Sequence, residues 1–567
     1  MSFSRPFLLL AAGLALIAGP AVSSAQTADG AKAPRFAPDG ISAKDIAGLH
    51  QSPQHNSHGG GPAVFPFEFR TIDGSGNNGA NPDWGAAGAA LLRLTTVDYE
   101  NGTDSPGGQH RTSAREISNL CVAQPALIPN AAGASDYLWQ WGQFIDHDLD
   151  LVPIADPAEP FPIDVPLGDP FFDPTGTGVA QIGLDRSHFE VIDGVRQQIN
   201  VLTAFIDGSM VYGSDELRAL ELRTLDGTGR LKTSPGGLLP FNVNGFPNAP
   251  DGSAAFFLAG DVRVNEQVDL TAIHTLFVRE HNLWAGLFRL LDPSLDDDEL
   301  YELARAMVGA EIQAITYSEF LPILLGPNAL PPYTGYKPNV NPGVSNVFAT
   351  AAYRVGHTML SPQLQRLRPN LQPVPAGHLP LADAFFRPDV FVSSGLAPLL
   401  RGLARQPAQE IDPHIVDAVR NFLFGPPGSG GFDLASLNVQ RGREHGLPGY
   451  NQVRVDFGLP ALSSFADVNP DPTIQANLAA AYATVDDIDV WVGGLSEPHV
   501  PGAVVGETFH AILTDQFERA RDGDRFWYQS YMPFVFRILV EGSTLSRIIR
   551  RNTGIGFELQ ANAFQVP

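Results

Sequence analysis

The chain has 567 residues, 44% of them hydrophobic, and a formal charge of −25 at neutral pH. That apolar content excludes wholesale disorder, and the length allows two or three domains or one unusually large one. The negative charge opposes nucleic acid and anionic membranes as partners, while a single cysteine, Cys121, excludes an intrachain disulfide framework and multi-cysteine metal sites.

In chain order, residues 1–25 read as a secretory signal peptide. Arg5 precedes an apolar run over 7–18, the run breaks at Gly19-Pro20, and the small residues Ser23 and Ala25 precede a plausible cleavage point. The run is short for a membrane anchor, and no later stretch is long enough for one, so a secreted or periplasmic protein is expected. Residues 26–63, rich in Gly, Pro, Ala and Ser, read as a flexible leader whose His50, His55 and His58 are more simply solvated than metal-bound. With no repeat and no second linker, 64–567 reads as one large domain. Apolar spacing there is mainly helical and strand-like alternation is scarce, giving a mainly α fold. Helices are predicted over 136–146, 270–288, 300–315, 347–359, 413–423 and 505–521. Ser294 is a candidate cap for the third of these, and the acids from Asp296 to Glu299 read as a solvated helix start. Cys121 reads as a small buried hydrophobe.

Five segments carry chemistry. In "GQFIDHDLD", Gln143 and His147 share a helical face with Asp146 one step around, and Asp148 and Asp150 follow. An aromatic helix ending in so many polar groups calls for a bound metal or cofactor if buried, and reads equally well as an exposed helix end. In "TAFIDGS", Thr203, Phe205, Asp207 and Ser209 alternate oxygen donors of the kind a Ca²⁺ ion takes, to which Asp148 would add a carboxylate; alone, the segment is also a plain turn. In "DVRVNEQ", Arg263 and Glu266 are three apart at a helix entrance, where a fixed cation could stabilise developing negative charge or form a surface ion pair. In "AYRVGHT" and "LNVQRGREHG", His357 follows Gly356, and Asn438 could hold one ring nitrogen while the other meets a metal. His281 and His445, each in an Arg-Glu-His triplet, read as structural.

Together, in this order, these segments resemble the animal-type haem peroxidases of the peroxidase-cyclooxygenase superfamily, with lactoperoxidase, myeloperoxidase and peroxidasin among them. The likeness extends through "DVWVGGLSEPHVPGAVVGETF", "RDGDRFWY" and "RIIRRNTGI" and covers nearly the whole chain from about Phe67. The resemblance implies a single domain with haem between distal and proximal helices, and an enzyme that reduces H₂O₂ while oxidising halide, thiocyanate or small phenolic donors, in a response to oxidative stress. It gives His147 the role of distal acid and base with Gln143 beside it, and Arg263 that of charge stabiliser. Asp146 and Glu266 become ester links to haem, His357 the iron ligand, Asn438 its hydrogen-bond partner, and Arg354 and Arg441 neighbours of the propionates. Asp148, Thr203, Phe205, Asp207 and Ser209 become Ca²⁺ ligands, and Asp150 either assists near a propionate or is solvated. Gln267 stands where myeloperoxidase has a linking methionine, so two esters are expected. The missing cysteine framework suggests an exported member of bacterial type. Rival readings are a fatty-acid dioxygenase, disfavoured because Arg354 occupies the radical tyrosine's place with Tyr353 one step away, and a Ca²⁺-binding exported scaffold without enzymatic activity.

Overall fold

The computed structural model describes residues 68–567. The expected signal peptide, the whole of the leader and the first four residues of the expected domain lie outside the described residues. The architecture is mainly helical, with strands confined to three two-stranded antiparallel ribbons among the described residues.

Six helices frame the molecule: α1 (Tyr137–Leu149), α2 (Val268–Leu291), α3 (Asp297–Ile315), α4 (Leu396–Arg405), α5 (Leu434–Glu444) and α6 (Glu507–Asp522). Helices α1 and α2 pack through aromatic side chains: Phe144 stacks on Phe277 at 5.2 Å, and Trp141 lies 5.6 and 5.7 Å from those two rings. All three are fully buried. Burial of a tryptophan strands an N–H unless it finds an acceptor, and Trp141 Nε1 donates to Thr316 Oγ1 at 3.1 Å. The run of apolar residues in α1 is therefore core, and its polar end emerges from that core into the cleft described below.

Helix α3 corrects one expectation. Its cap is Asp296, not Ser294: the Asp296 carboxylate accepts from Glu299 N, and Glu299 reaches back to Asp296 N, a reciprocal capping box. Its acids are also not merely solvated, because Arg223 pairs with Asp297 and Asp298 and Gly229 N donates to Asp297. The predicted helix over 347–359 is two pieces, Asn346–Thr350 and the 3₁₀ turn Ala352–Thr358, separated at Ala351. The predicted helix over 413–423 shrinks to Asp417–Arg420.

One hairpin supports the site. Phe189–Ile192 pairs with Val195–Gln198 around Asp193-Gly194, both in the left-handed region that a tight two-residue hairpin turn requires. Arg196 on its return strand donates to the carbonyl of Ser187, and Ser187 in turn bonds α5 through Glu444. Cys121 is buried, and burial pushes its thiol up to about 12, as suits an inert small hydrophobe. Among the described residues no helix is long and apolar enough to cross a membrane.

Candidate active site

The C-terminal end of α1, the turn leading into α2, the 3₁₀ turn Ala352–Thr358 and α5 enclose a cleft of about 1570 Å³, its open mouth included. Gln143, Asp146, His147, Asp150, Arg263, Glu266, Arg354, His357 and Arg441 all line it. The structure thus brings together every residue proposed for the distal and proximal sides except Asn438, which stands immediately behind His357.

On one wall, His147 is 2% exposed. Burial and then the charge of Arg263 pull it well below the ordinary histidine range. Its Nδ1 faces Asp261 Oδ1 at 3.4 Å, a long contact that leaves Nε2 as the nitrogen available to a ligand. Asp261 also clamps the guanidinium of Arg263, accepting from Nε at 3.0 Å and Nη2 at 2.9 Å. Burial opposes the Asp261 charge, but Arg263 and His147 outweigh it and hold the carboxyl well below the usual carboxylate range. Sequence reasoning missed Asp261. Its signal is the Asp-x-Arg spacing, which makes an Asx turn: Arg263 N donates to Asp261 Oδ1 at 2.7 Å. The alternative of a surface ion pair does not describe Arg263, which is largely buried and turned to Asp261, Asp146 and the Asp150 carbonyl.

Asp146 lies 3.4 Å from Arg263, and burial raises its proton affinity against the pull of Arg263 and Arg354. Gln143 Nε2 donates to Glu266 Oε1 at 3.0 Å. Gln267 caps α2 through Asp269 N at 2.6 Å and bonds Gln140 and Gln143. Asp150 is buried, which removes the solvated alternative; its Oδ2 has no hydrogen-bond partner, and burial and Asp146 raise the carboxyl well above its usual range.

On the opposite wall, Asn438 Nδ2 meets His357 Nδ1 at 2.8 Å, while Asn438 Oδ1 accepts from Arg354 at 3.1 Å. Asn438 is held between His357 and Arg354; binding a metal through Nε2 requires the His357 proton on Nδ1, where the amide oxygen of Asn438 would accept it. Burial and Arg354 pull His357 down to about 3, so it stays neutral, as a metal ligand must. A Cβ on Gly356 would meet nothing within 4 Å, so the space beside His357 is open. Arg441 donates to the Asp185 carbonyl and Ser187 Oγ, and pairs with Glu444. His445 and His281 are buried and hydrogen-bonded within the protein, as structural histidines are.

The loop "TAFIDGS" folds onto Asp148. The Asp148 carboxylate accepts from Asp207 N and Gly208 N at 3.1 Å each and from Ser209 Oγ at 2.7 Å, and Thr203 Oγ1 donates to Asp207. Phe205 is buried with Arg70 4.3 Å above its ring. Among the described residues no group of three or more His, Cys, Asp or Glu side chains is placed to hold a metal, so hydroxyl and carbonyl oxygens would have to complete any Ca²⁺ set. Gly260 closes the arrangement: a Cβ there would fall 2.2 Å from Ser209 O, and Asp261 N donates to Met210 O. The loop and the Asp261–Arg263 turn are one packed unit.

A cleft of this size, with a histidine on each wall and a buried carboxylate oxygen that has no hydrogen-bond partner, fits a large prosthetic group. The animal haem peroxidase family model matches residues 69–564. Peroxinectin A of Dictyostelium discoideum is 38% identical, covering 88% of this chain and 96% of that protein; human eosinophil peroxidase is 39% identical over 86% and 75%. Among solved structures, peroxidase A from Dictyostelium discoideum superposes with a TM-score of 0.83 at 37% identity, covering 88% of this chain and all of that one. A fatty acid alpha-dioxygenase of Arabidopsis thaliana shares the fold at a TM-score of 0.74 and 19% identity, over 88% and 83%. The chain belongs to the animal haem peroxidase family and is a haem-dependent oxidoreductase of the peroxidase class.

Proposed function

We propose that this protein reduces H₂O₂ with His147 as distal acid and base and Arg263 as its electrostatic partner, haem being held by His357. The observation that carries the reading is the difference between the two histidine partners. Asp261, a carboxylate, faces His147 and favours its taking up a proton; burial and the charge of Arg354 keep His357 neutral, and its own partner, Asn438, is uncharged. One histidine is set to move protons and the other to bind metal. Bound haem supplies the two-electron change that cleaves the peroxide bond and is reversed by a donor. His147 Nε2 accepts a proton from one peroxide oxygen and returns it to the other, making water the leaving group. Arg263, clamped at two of its N–H groups, presents positive charge where negative charge develops. Gln143 holds Glu266 in place.

Asp146 and Glu266 are the two ester links. Burial already favours the uncharged carboxyl at Asp146, and an ester there would likewise carry no charge; the link would also release Arg263 from that partner. Asp148, Thr203, Phe205, Asp207 and Ser209 hold Ca²⁺, fixing the residue beside His147. Arg354 and Arg441 serve the propionates, joined by Asp150. The donor is a halide, thiocyanate or small phenol, the setting is export and a response to oxidative stress, and 64–567 acts as one domain.

Substituting His147 by Ala should slow the reaction with H₂O₂ by roughly 10²–10⁴ while haem stays bound, and His357→Ala should shift the Soret band of the haem that the esters retain. Wild-type kinetics in the first variant would remove His147 from the mechanism. A purified protein that stays colourless with haem in excess would favour the scaffold reading, and oxygenation of a fatty acid in place of peroxide turnover would favour the dioxygenase.

A further inference from the structure

Behind the cleft lies a second concavity of about 720 Å³, its mouth included. The π-turn Thr316–Phe320 and the short helix Leu321–Leu324 separate the two: Phe320 and Leu324 line the cleft, whereas Tyr317 and Leu321 line the groove. Tyr333, Trp527 and Arg521 complete an aromatic, partly open pocket.

Rings connect groove and cleft without interruption. Tyr333 lies 5.9 Å from Trp527, Trp527 4.7 Å from Tyr317, Tyr317 6.2 Å from Phe517, and Phe517 5.6 Å from Tyr353, which lines the cleft. Each separation is that of rings in contact, and core packing alone accounts for such pairs one at a time. A series that begins at one concavity and ends at the other, with oxidisable side chains at every step but Phe517, has a further use. We infer that the groove is a second oxidation site, for phenols too bulky to enter the cleft, whose electrons reach the cleft along these rings. The inference rests on the haem peroxidase reading.

The stations differ in what they can do. Trp527 is buried, and its Nε1 donates to Gln529 Oε1 at 3.2 Å; an indole can lose an electron while keeping that proton, so Trp527 is the residue able to carry the charge. Tyr317 donates to the Phe517 carbonyl at 2.6 Å, and the Tyr353 hydroxyl is buried without a hydrogen-bond partner. Neither has a base to receive a proton, so both serve with Phe517 as the medium between Trp527 and the cleft. At the rim, the half-buried Tyr333 shares a hydrogen bond with Ser530, polar contact of the kind a phenolic hydroxyl can make. Each phenol gives one electron to the rings and one proton to water, two electrons and two protons meet H₂O₂ in the cleft, and the balance is H₂O₂ + 2 ArOH → 2 H₂O + 2 ArO•.

The test uses haem-loaded enzyme with two donors, iodide and a phenol coupled to dextran, and the variant Trp527→Phe. The expected result is a roughly tenfold or larger fall in kcat/KM for dextran-phenol with iodide oxidation unchanged. A second readout is radical trapping: peroxide treatment with a nitroso spin trap should leave adducts on Trp527 or Tyr333 peptides of the wild type, and those on Tyr333 should vanish in Trp527→Phe. Tyr333→Phe, at the rim, should show the same selective loss and serves if the buried substitution prevents folding. Unchanged dextran-phenol turnover with no adduct in these peptides overturns the relay while iodide turnover keeps the peroxidase reading; absence of iodide turnover in the wild type overturns both.

Discussion

Replacing Asp261 with Asn keeps the shape of the side chain and removes its charge. In the wild type its two carboxylate oxygens accept from Arg263 Nε and Nη2 at 3.0 and 2.9 Å. An amide can offer only one oxygen, so one charge-assisted hydrogen bond is lost and an N–H₂ is left facing the guanidinium. Such a bond contributes about 1.5–3 kcal/mol, and the guanidinium retains the Asp150 carbonyl as an alternative. Arg263 should therefore stay buried but shift toward that carbonyl, away from the position that serves the peroxide. If the lost interaction is felt fully in the transition state, the second-order rate with H₂O₂ falls about ten- to a hundredfold at one decade per 1.36 kcal/mol. Stopped-flow absorbance at the Soret band on mixing with H₂O₂ reads this directly, with the resting spectrum confirming that haem is bound. A wild-type rate in Asp261→Asn would refute the claim that this carboxylate positions the distal pair.

Three further outcomes follow from groups outside the cleft. Burial pushes Glu319 up to about 7, with only Leu545 N donating to it among backbone groups. A folded-state value above the unfolded one means stability is complete below about 4.5 and is lost as pH rises through 7, by up to roughly 3 kcal/mol, so Glu319→Gln should gain on the wild type in urea midpoints between pH 5 and 8; parallel curves would contradict this. Arg115, fully buried, pairs with Asp169 at 2.8 Å and Asp433 at 2.7 Å, and Arg115→Met should cost about 3–5 kcal/mol in urea unfolding by stranding both acids; a cost below 1 kcal/mol would count against their being buried charges. Asp296→Ala should cost about 1 kcal/mol through loss of the capping box, and an unchanged urea midpoint would argue that Ser294 can take over as cap.

Much of the site was legible because its residues sit in short segments whose chemistry is local. The helical face shared by Gln143 and His147 and the approach of Asp148 to the "TAFIDGS" loop follow from spacing and residue type, and the family resemblance joined the segments. What stayed hidden depends on distant partners. Helix α5 has few apolar residues to make a period, because its buried face carries Asn438, Arg441 and Glu444. The break at Ala351 has no proline or glycine to announce it; Arg354 turns back to the Ala349 carbonyl and His357 is drawn to Asn438, contacts that outweigh helical preference. The segment over 413–423 gives up its helix where Asn421 is taken by Arg115, a residue about 300 positions earlier. Asp261 escaped notice because a single acid before an arginine reads as a turn until the structure sets His147 opposite it.

The cleft is assembled from widely separated stretches, with His147 on one wall and Arg441 on the other. A ribosome adding about 5–20 residues per second needs roughly 15–60 seconds to pass from the first to the second. Until then the wall facing the polar end of α1 is incomplete, so a fully formed site for the prosthetic group must wait for most of the chain. The last closure is later still: Arg70, near the start of the described residues, pairs with Asp524 at 2.7 Å and approaches Asp207 of the loop beside Asp148 at 3.5 Å. Completion of the cofactor site and completion of the chain are thus coupled in time.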